Sequence, residues 1–137
     1  MTGWLDSLGY SDYTLSAASE DASFRSYLRV ECGANSWILM DAPPEKEPCD
    51  RFIDIATRLR KARLSAPEII HQDQLQGFLL LTDFGSTDYL SVLDASSEGP
   101  LYADALIALL RMQTSIDCDD LPAYDEQLLI QEMDLFR

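Results

Sequence analysis

Two short runs carry the residue types of phosphoryl-transfer chemistry, His71-Gln72-Asp73 and Asp83-Phe84-Gly85. In that chemistry one aspartate takes the proton of the attacking hydroxyl, while an asparagine and a second aspartate hold magnesium, in this order along the chain. The spacing excludes it. The asparagine is needed five residues after the first aspartate, and that position is Phe78, inside the apolar run Phe78-Leu79-Leu80-Leu81. The interval between the two runs is also too short for the strands that would separate them. His71 is the only histidine and Asn35 the only asparagine, so no other pairing supplies the set. Asp73 therefore reads as a hairpin-turn residue and His71 as an ordinary strand residue.

Other reactive constellations are weaker still. A Ser/His/Asp triad can be assembled on paper from His71 and many serines of the chain, but no nucleophile elbow is present, which argues against a hydrolase. Asp119 and Asp120 lack the spaced partners of a metal site and read as solvated surface. Cys32, Cys49 and Cys118 are odd in number and widely spaced, giving neither a disulfide framework nor a zinc site and pointing to a reducing compartment. The net charge of −14 and isoelectric point near 4.1 repel nucleic acid and anionic lipid. Arg58, Arg60, Lys61 and Arg63 form the densest basic cluster, which reads as a solvated helix face with a C-terminal turn suited to the helix dipole. The N-terminus has no basic and apolar leader, and no stretch approaches the ~20 apolar residues of a membrane span. The expectation is a cytoplasmic protein that binds neither nucleic acid nor membrane.

With 137 residues, 47% of them hydrophobic, the chain is long enough for a real core. Residues 13–18 and 24–31 are strand candidates, the second with rough apolar alternation, joined by the turn-forming Ser19, Glu20, Asp21, Ala22 and Ser23. Gly33-Ala34-Asn35-Ser36 turns the chain into a third strand, Trp37-Ile38-Leu39-Met40. A proline-rich break over residues 41–48 precedes a predicted helix in which Phe52, Ile53, Ile55, Ala56, Leu59 and Ala62 recur at helical spacing. Residues 68–72 and 77–81 form a second hairpin whose last strand is apolar enough to be central in a sheet. Beyond Gly85 the pattern turns helical, once over Leu101 to Met112 and again from about Asp125, with Leu128, Leu129, Met133 and Phe136.

Three strands, a helix, two strands and a linker to helices is the element order of an α+β, protein-kinase-like N-lobe: an antiparallel five-stranded sheet with one helix, followed by the first helices of a C-lobe. The boundary falls at Gly85, giving residues 1–85 as N-lobe with hinge and 86–137 as the start of the helical lobe. The segments DASFRSYLRV (21–30), WILMDAPPEKE (37–47), PEII (67–70), FLLLTDFG (78–85) and LPAYDEQLLIQEMDLF (121–136) resemble the aminoglycoside-phosphotransferase-like family. Within it they are most similar to the branch of N-acetylmuramate/N-acetylglucosamine 1-kinases of bacterial cell-wall recycling. The resemblance covers nearly all of this chain but only the N-terminal part of that family.

The resemblance implies a nucleotide site. The turn holding Ser23, Phe24 and Arg25 corresponds to the loop over the ATP phosphates, where backbone N–H groups approach phosphate oxygens and Arg25 complements their charge. The alternative for these residues is an ordinary polar turn. Leu81, Thr82, Asp83 and Phe84 correspond to the hinge, whose backbone meets the adenine edge while Leu80, Leu81 and other apolar side chains sandwich the ring; a plain strand-ending turn is the alternative. The third strand departs from the wider fold, which places a phosphate-binding lysine there, paired with a helix glutamate. Here the only nearby amine is Lys46, which serves the phosphates from another position or is a solvated loop lysine, and the helix offers Asp50 and Asp54.

The resemblance therefore implies an ATP:amino-sugar phosphotransferase, represented by its nucleotide-binding part and inactive alone. The acceptor aspartate and the ligands of Mg2+ are expected after Arg137. The alternative is a non-catalytic interaction module that docks through its last helices, to a missing C-lobe or to itself.

Overall fold

The computed structural model describes residues 1–19 and 24–134. Its first element was not expected from the sequence. Trp4, Leu5 and Leu8 share one helix face, and Thr2–Ser7 forms helix α1. Gly9 closes it in the left-handed conformation at φ +88°. Its N–H donates to the Asp6 carbonyl at 3.0 Å and that of Tyr10 to Leu5 at 3.2 Å, a glycine-capped helix end. Trp4 and Leu5 are buried.

Five strands follow among the described residues: β1 (Thr14–Ser19), β2 (Ser26–Cys32), β3 (Asn35–Asp41), β4 (Ile69–Asp73) and β5 (Phe78–Thr82). They form one sheet in the order β1-β2-β3-β5-β4, with every neighbouring pair antiparallel. The β2–β3 hairpin turns at Gly33-Ala34, and Asn35 already belongs to the strand. Glu20, Asp21, Ala22 and Ser23, expected as a turn, lie outside the described residues, and Ser19 ends β1.

Alternation along the strands sorts the core into two layers. Val30, Leu39, Phe78 and Leu80, with the partly buried Leu28 and Trp37, pack with Trp4 and Leu5 of α1. Met40, Leu79 and Leu81, with Tyr27 and Ile38, pack on the other side with Phe52 and Ile53 of helix α2 (Asp50–Lys61). Strand β5 is thus covered on both faces, as its continuous apolar run predicts. At its entry the Asp73 carboxylate accepts the Gln76 backbone N–H at 3.1 Å and its side-chain amide at 2.7 Å, which makes Asp73 the turn residue expected.

Helices α3 (Tyr89–Val92), α4 (Glu98–Ser115) and α5 (Glu126–Asp134) complete the described chain; Phe136 lies outside it. No described residue of α4 or α5 is buried, and no helix is long and apolar enough to cross a membrane. The basic cluster is not simply solvated. Arg58 donates to both Asp54 oxygens at 2.9 Å, to the Asp117 carbonyl at 2.6 Å and to both Asp120 oxygens at 2.8 Å. The Asp120 side chain is 70% exposed, solvated surface as expected, and is in addition paired with Arg58. Arg60 likewise reaches Glu68 at 3.0 Å.

Two substitutions test these contacts by thermal unfolding. Leu5→Ala should cost about 2–5 kcal/mol, the range for emptying a fully buried leucine site. Gly77 sits at φ +78°, its carbonyl accepts the Ala42 N–H at 2.9 Å, and a Cβ there would drive into the Ala42 carbonyl. Gly77→Ala should therefore cost at least about 2 kcal/mol, from left-handed backbone and steric conflict together.

Candidate functional site

One rung crosses the whole sheet on the α2 side: Ser16, Arg29, Ile38, Leu81 and Ile69 are successive cross-strand partners. Arg29 is the charged member of this row. Its guanidinium extends over β3 to Asp83, just past the end of β5. There Nε and Nη2 donate to the two carboxylate oxygens at 2.7 and 3.2 Å. The Asp83 side chain is only 4% exposed, and its Oδ1 also accepts the Gly85 N–H at 2.8 Å. The segment Thr82-Asp83-Phe84-Gly85 is thereby tied to β2 across the intervening strand β3.

The segment is held from the other side as well. Thr82 donates its N–H to the Glu68 carbonyl at 3.0 Å and accepts the Glu68 N–H on its hydroxyl at 3.1 Å. Beside it opens a cleft of about 290 Å³ lined by Ala18, Tyr27, Ile38, Phe52, Leu81 and Phe84, with the Arg29–Asp83 pair at its wall. Leu81 forms the floor and Phe84, 64% exposed, stands at the mouth. Leu80 turns away: pleating puts it in the layer under α1, so it cannot sandwich a ligand here. A wider hollow of about 430 Å³ lies beside Thr57, Arg60 and Glu68, but there the arginine and glutamate neutralise each other.

The other predicted group assembles at the far end of the cleft face. Arg25 Nη2 lies 2.8 Å from Glu47, and its guanidinium carbon is 5.9 Å from the centre of the Phe52 ring. Lys46 Nζ stands 4.4 Å from the centre of the Phe24 ring. Phe24, Arg25 and Lys46 are therefore neighbours, although twenty residues separate them in the chain. Ser23 lies outside the described residues. Phe52 lines both the cleft and a second hollow that contains Arg25, and so connects the two ends. Asp54 faces Arg58 rather than this site.

Chemically, the arrangement is an apolar slot with a fixed backbone edge, suited to a flat heteroaromatic ring, with two cations beyond it. No group of three or more His, Cys, Asp or Glu among the described residues is placed to hold a metal ion, so no metal-dependent step is derived from them. Sequence reasoning missed Arg29, Tyr27 and Phe52. Arg29 carried a signal: on the α2 face its strand neighbour Tyr27 and cross-strand partner Ile38 are largely apolar, and a cation there needs a partner carboxylate.

The Asp83 carboxyl is held below the usual carboxylate range, first by the Arg29 hydrogen bond and further by the Gly85 N–H and the Ser36 hydroxyl, against the opposing effect of burial. A depressed folded-state value stabilises the protein above the unfolded value of about 4 and is lost as pH falls through the lower one. Asp83→Asn should therefore lower stability near neutral pH by about 1–3 kcal/mol. It should also shrink the difference in melting temperature between pH 5 and pH 2. An unchanged pH dependence would dissociate Asp83 from the fold's acid sensitivity.

Residues 14–133 match the family model described as "Phosphotransferase enzyme family". The N-acetylmuramate/N-acetylglucosamine kinase of Pseudomonas putida is 44% identical over 123 residues, which cover 90% of this chain and 36% of that protein. The enzyme of the same name from Pseudomonas aeruginosa is 44% identical over 119 residues, 87% of this chain and 35% of the relative. That from Neisseria meningitidis serogroup B is 30% identical over 134 residues, 91% and 38%. The chain spans about a third of the length of the curated relatives it matches. On the match over residues 14–133, the chain belongs to the phosphotransferase enzyme family.

Proposed function

We propose that this chain is the nucleotide-binding part of a cytoplasmic, ATP-dependent sugar kinase of cell-wall recycling. Such a kinase would move the γ-phosphoryl group of ATP to the anomeric hydroxyl of N-acetylmuramate or N-acetylglucosamine. The observation that carries this reading is the 44% identity to kinases of that name across nine-tenths of the chain, and the largely apolar cleft beside residues 82–85 is compatible with a flat ring. In this reading Leu81 and Ile38 face the adenine, the backbone at Asp83 and Phe84 meets its polar edge, and Arg25 and Lys46 face the phosphates with Ser23 and Phe24 in the covering turn. Magnesium, when bound, would neutralise the phosphates of ATP; its ligands and the acceptor-positioning aspartate are assigned to sequence outside residues 1–137.

A different observation favours a second reading, a non-catalytic module that docks or self-associates through its last helices. Leu106, Ile107 and Leu110 of α4 and Leu129, Ile130 and Met133 of α5 are all exposed, an apolar display that a monomer rarely leaves uncovered.

Thermal unfolding with ligands separates the two. ATP and adenosine should each raise the melting temperature of purified 1–137, by up to about 2.7 kcal/mol of stabilisation at a hundredfold excess over Kd. Association that depends on protein concentration and ignores ATP, with no nucleotide stabilisation, would support the docking module instead. The isolated chain should transfer no phosphate to either sugar, and transfer at the rate of a whole kinase would overturn the assignment of catalytic groups elsewhere.

A further inference from the structure

The cleft face of β3 carries Ile38 and the fully buried Met40, so the strand that supplies a phosphate-binding lysine elsewhere in the fold supplies no charge here. Arg29 does not replace it, because Asp83 holds its guanidinium at the hinge end. At the phosphate end the cations come from Arg25 and Lys46. Both are placed by one structure, the turn that follows the start of the proline-rich loop. The Pro43 carbonyl accepts the N–H groups of Lys46 at 2.9 Å and Glu47 at 2.8 Å, which folds the loop so that residues 46 and 47 lie against residues 24 and 25. The contacts run in step: Lys46 on the Phe24 ring, Glu47 on Arg25.

From this geometry we infer that Glu47 is a positioning residue for nucleotide binding, holding the Arg25 guanidinium at the phosphate end of the cleft. The Arg25–Glu47 pair takes over there the work of the lysine–glutamate pair that β3 and α2 lack. The inference rests on the nucleotide-site reading above. Both side chains are about three-quarters buried, and the guanidinium is backed by Phe52 in the first turns of α2, three residues after Cys49 begins the helix. A carboxylate on an arginine and an aromatic ring behind it fix the plane of the guanidinium before a ligand arrives. The charge arithmetic makes the assignment testable, since a carboxylate near a triphosphate repels it unless it serves by orienting the cation.

The test is the affinity of purified 1–137 for ATP, AMP and adenosine, measured by calorimetry for the parent, Glu47→Gln and Arg25→Lys. Wild-type protein should bind ATP more tightly than adenosine. Glu47→Gln should weaken ATP roughly tenfold while changing adenosine less than about twofold. Arg25→Lys keeps the charge but not the fork, and should do the same. A Glu47→Gln variant that binds ATP as well as the parent, or more tightly as simple charge removal predicts, would overturn the inference and leave the adenine reading standing. ATP and adenosine bound equally by the parent would also overturn it. Failure of the parent to bind either would remove the nucleotide site itself. If Glu47→Gln does not fold, Arg25→Lys carries the same comparison.

Discussion

Strand β5 has to be dry on both faces. Leu79, Leu80 and Leu81 are consecutive and fully or almost fully buried, and consecutive strand residues point in opposite directions. Nothing short of a layer on each side of the sheet satisfies them. Helix α2 supplies one layer and the six residues of α1 the other, so a short N-terminal segment is as necessary to the core as the longer helix. The sheet order follows from the same demand: β5 sits inside, between β3 and β4, and the more polar β4 takes the edge.

That two-sided sheet gives the cleft its geometry. On the α2 side, one residue from each of the five strands lines up across one rung, which passes beside the segment that leaves β5. The Arg29–Asp83 pair then fixes the leaving segment by reaching back over the sheet. A segment anchored this way presents its backbone in one fixed place. At the opposite end the anchoring is of another kind, a proline-framed turn laid against residues 24 and 25. The slot is stiffened at both ends by contacts that lie outside its apolar walls.

The fold was largely legible because its signals are local. The apolar run 78–81, the helical spacing of Phe52, Ile53 and Ala56, and the break at residues 41–48 each announce one element. Helix α1 was not legible: six residues give less than two turns of periodicity, and Trp4 and Leu5 become meaningful only when a sheet face lacks a cover. Leu81, Thr82, Asp83 and Phe84, singled out from their position along the chain, all line the cleft. Arg29 required knowing that β2 and β5 are two strands apart on the same face, a relation set by sheet order rather than by sequence distance. The pairing of Arg58 with Asp120 was hidden for the same reason, since sixty-two residues separate partners that solvent-face reasoning treats one at a time.

Arg58 also gives helix α2 a mechanical character. The helix is a rod of twelve residues, about 18 Å long. Phe52 near its first turn touches both the cleft and Arg25, while Arg58 in its last turns grips residues 117 and 120 beyond α4. A rod pinned at both ends transmits tilt. The helix therefore joins the aromatic wall of the cleft to the segment between α4 and α5 through a single rigid element.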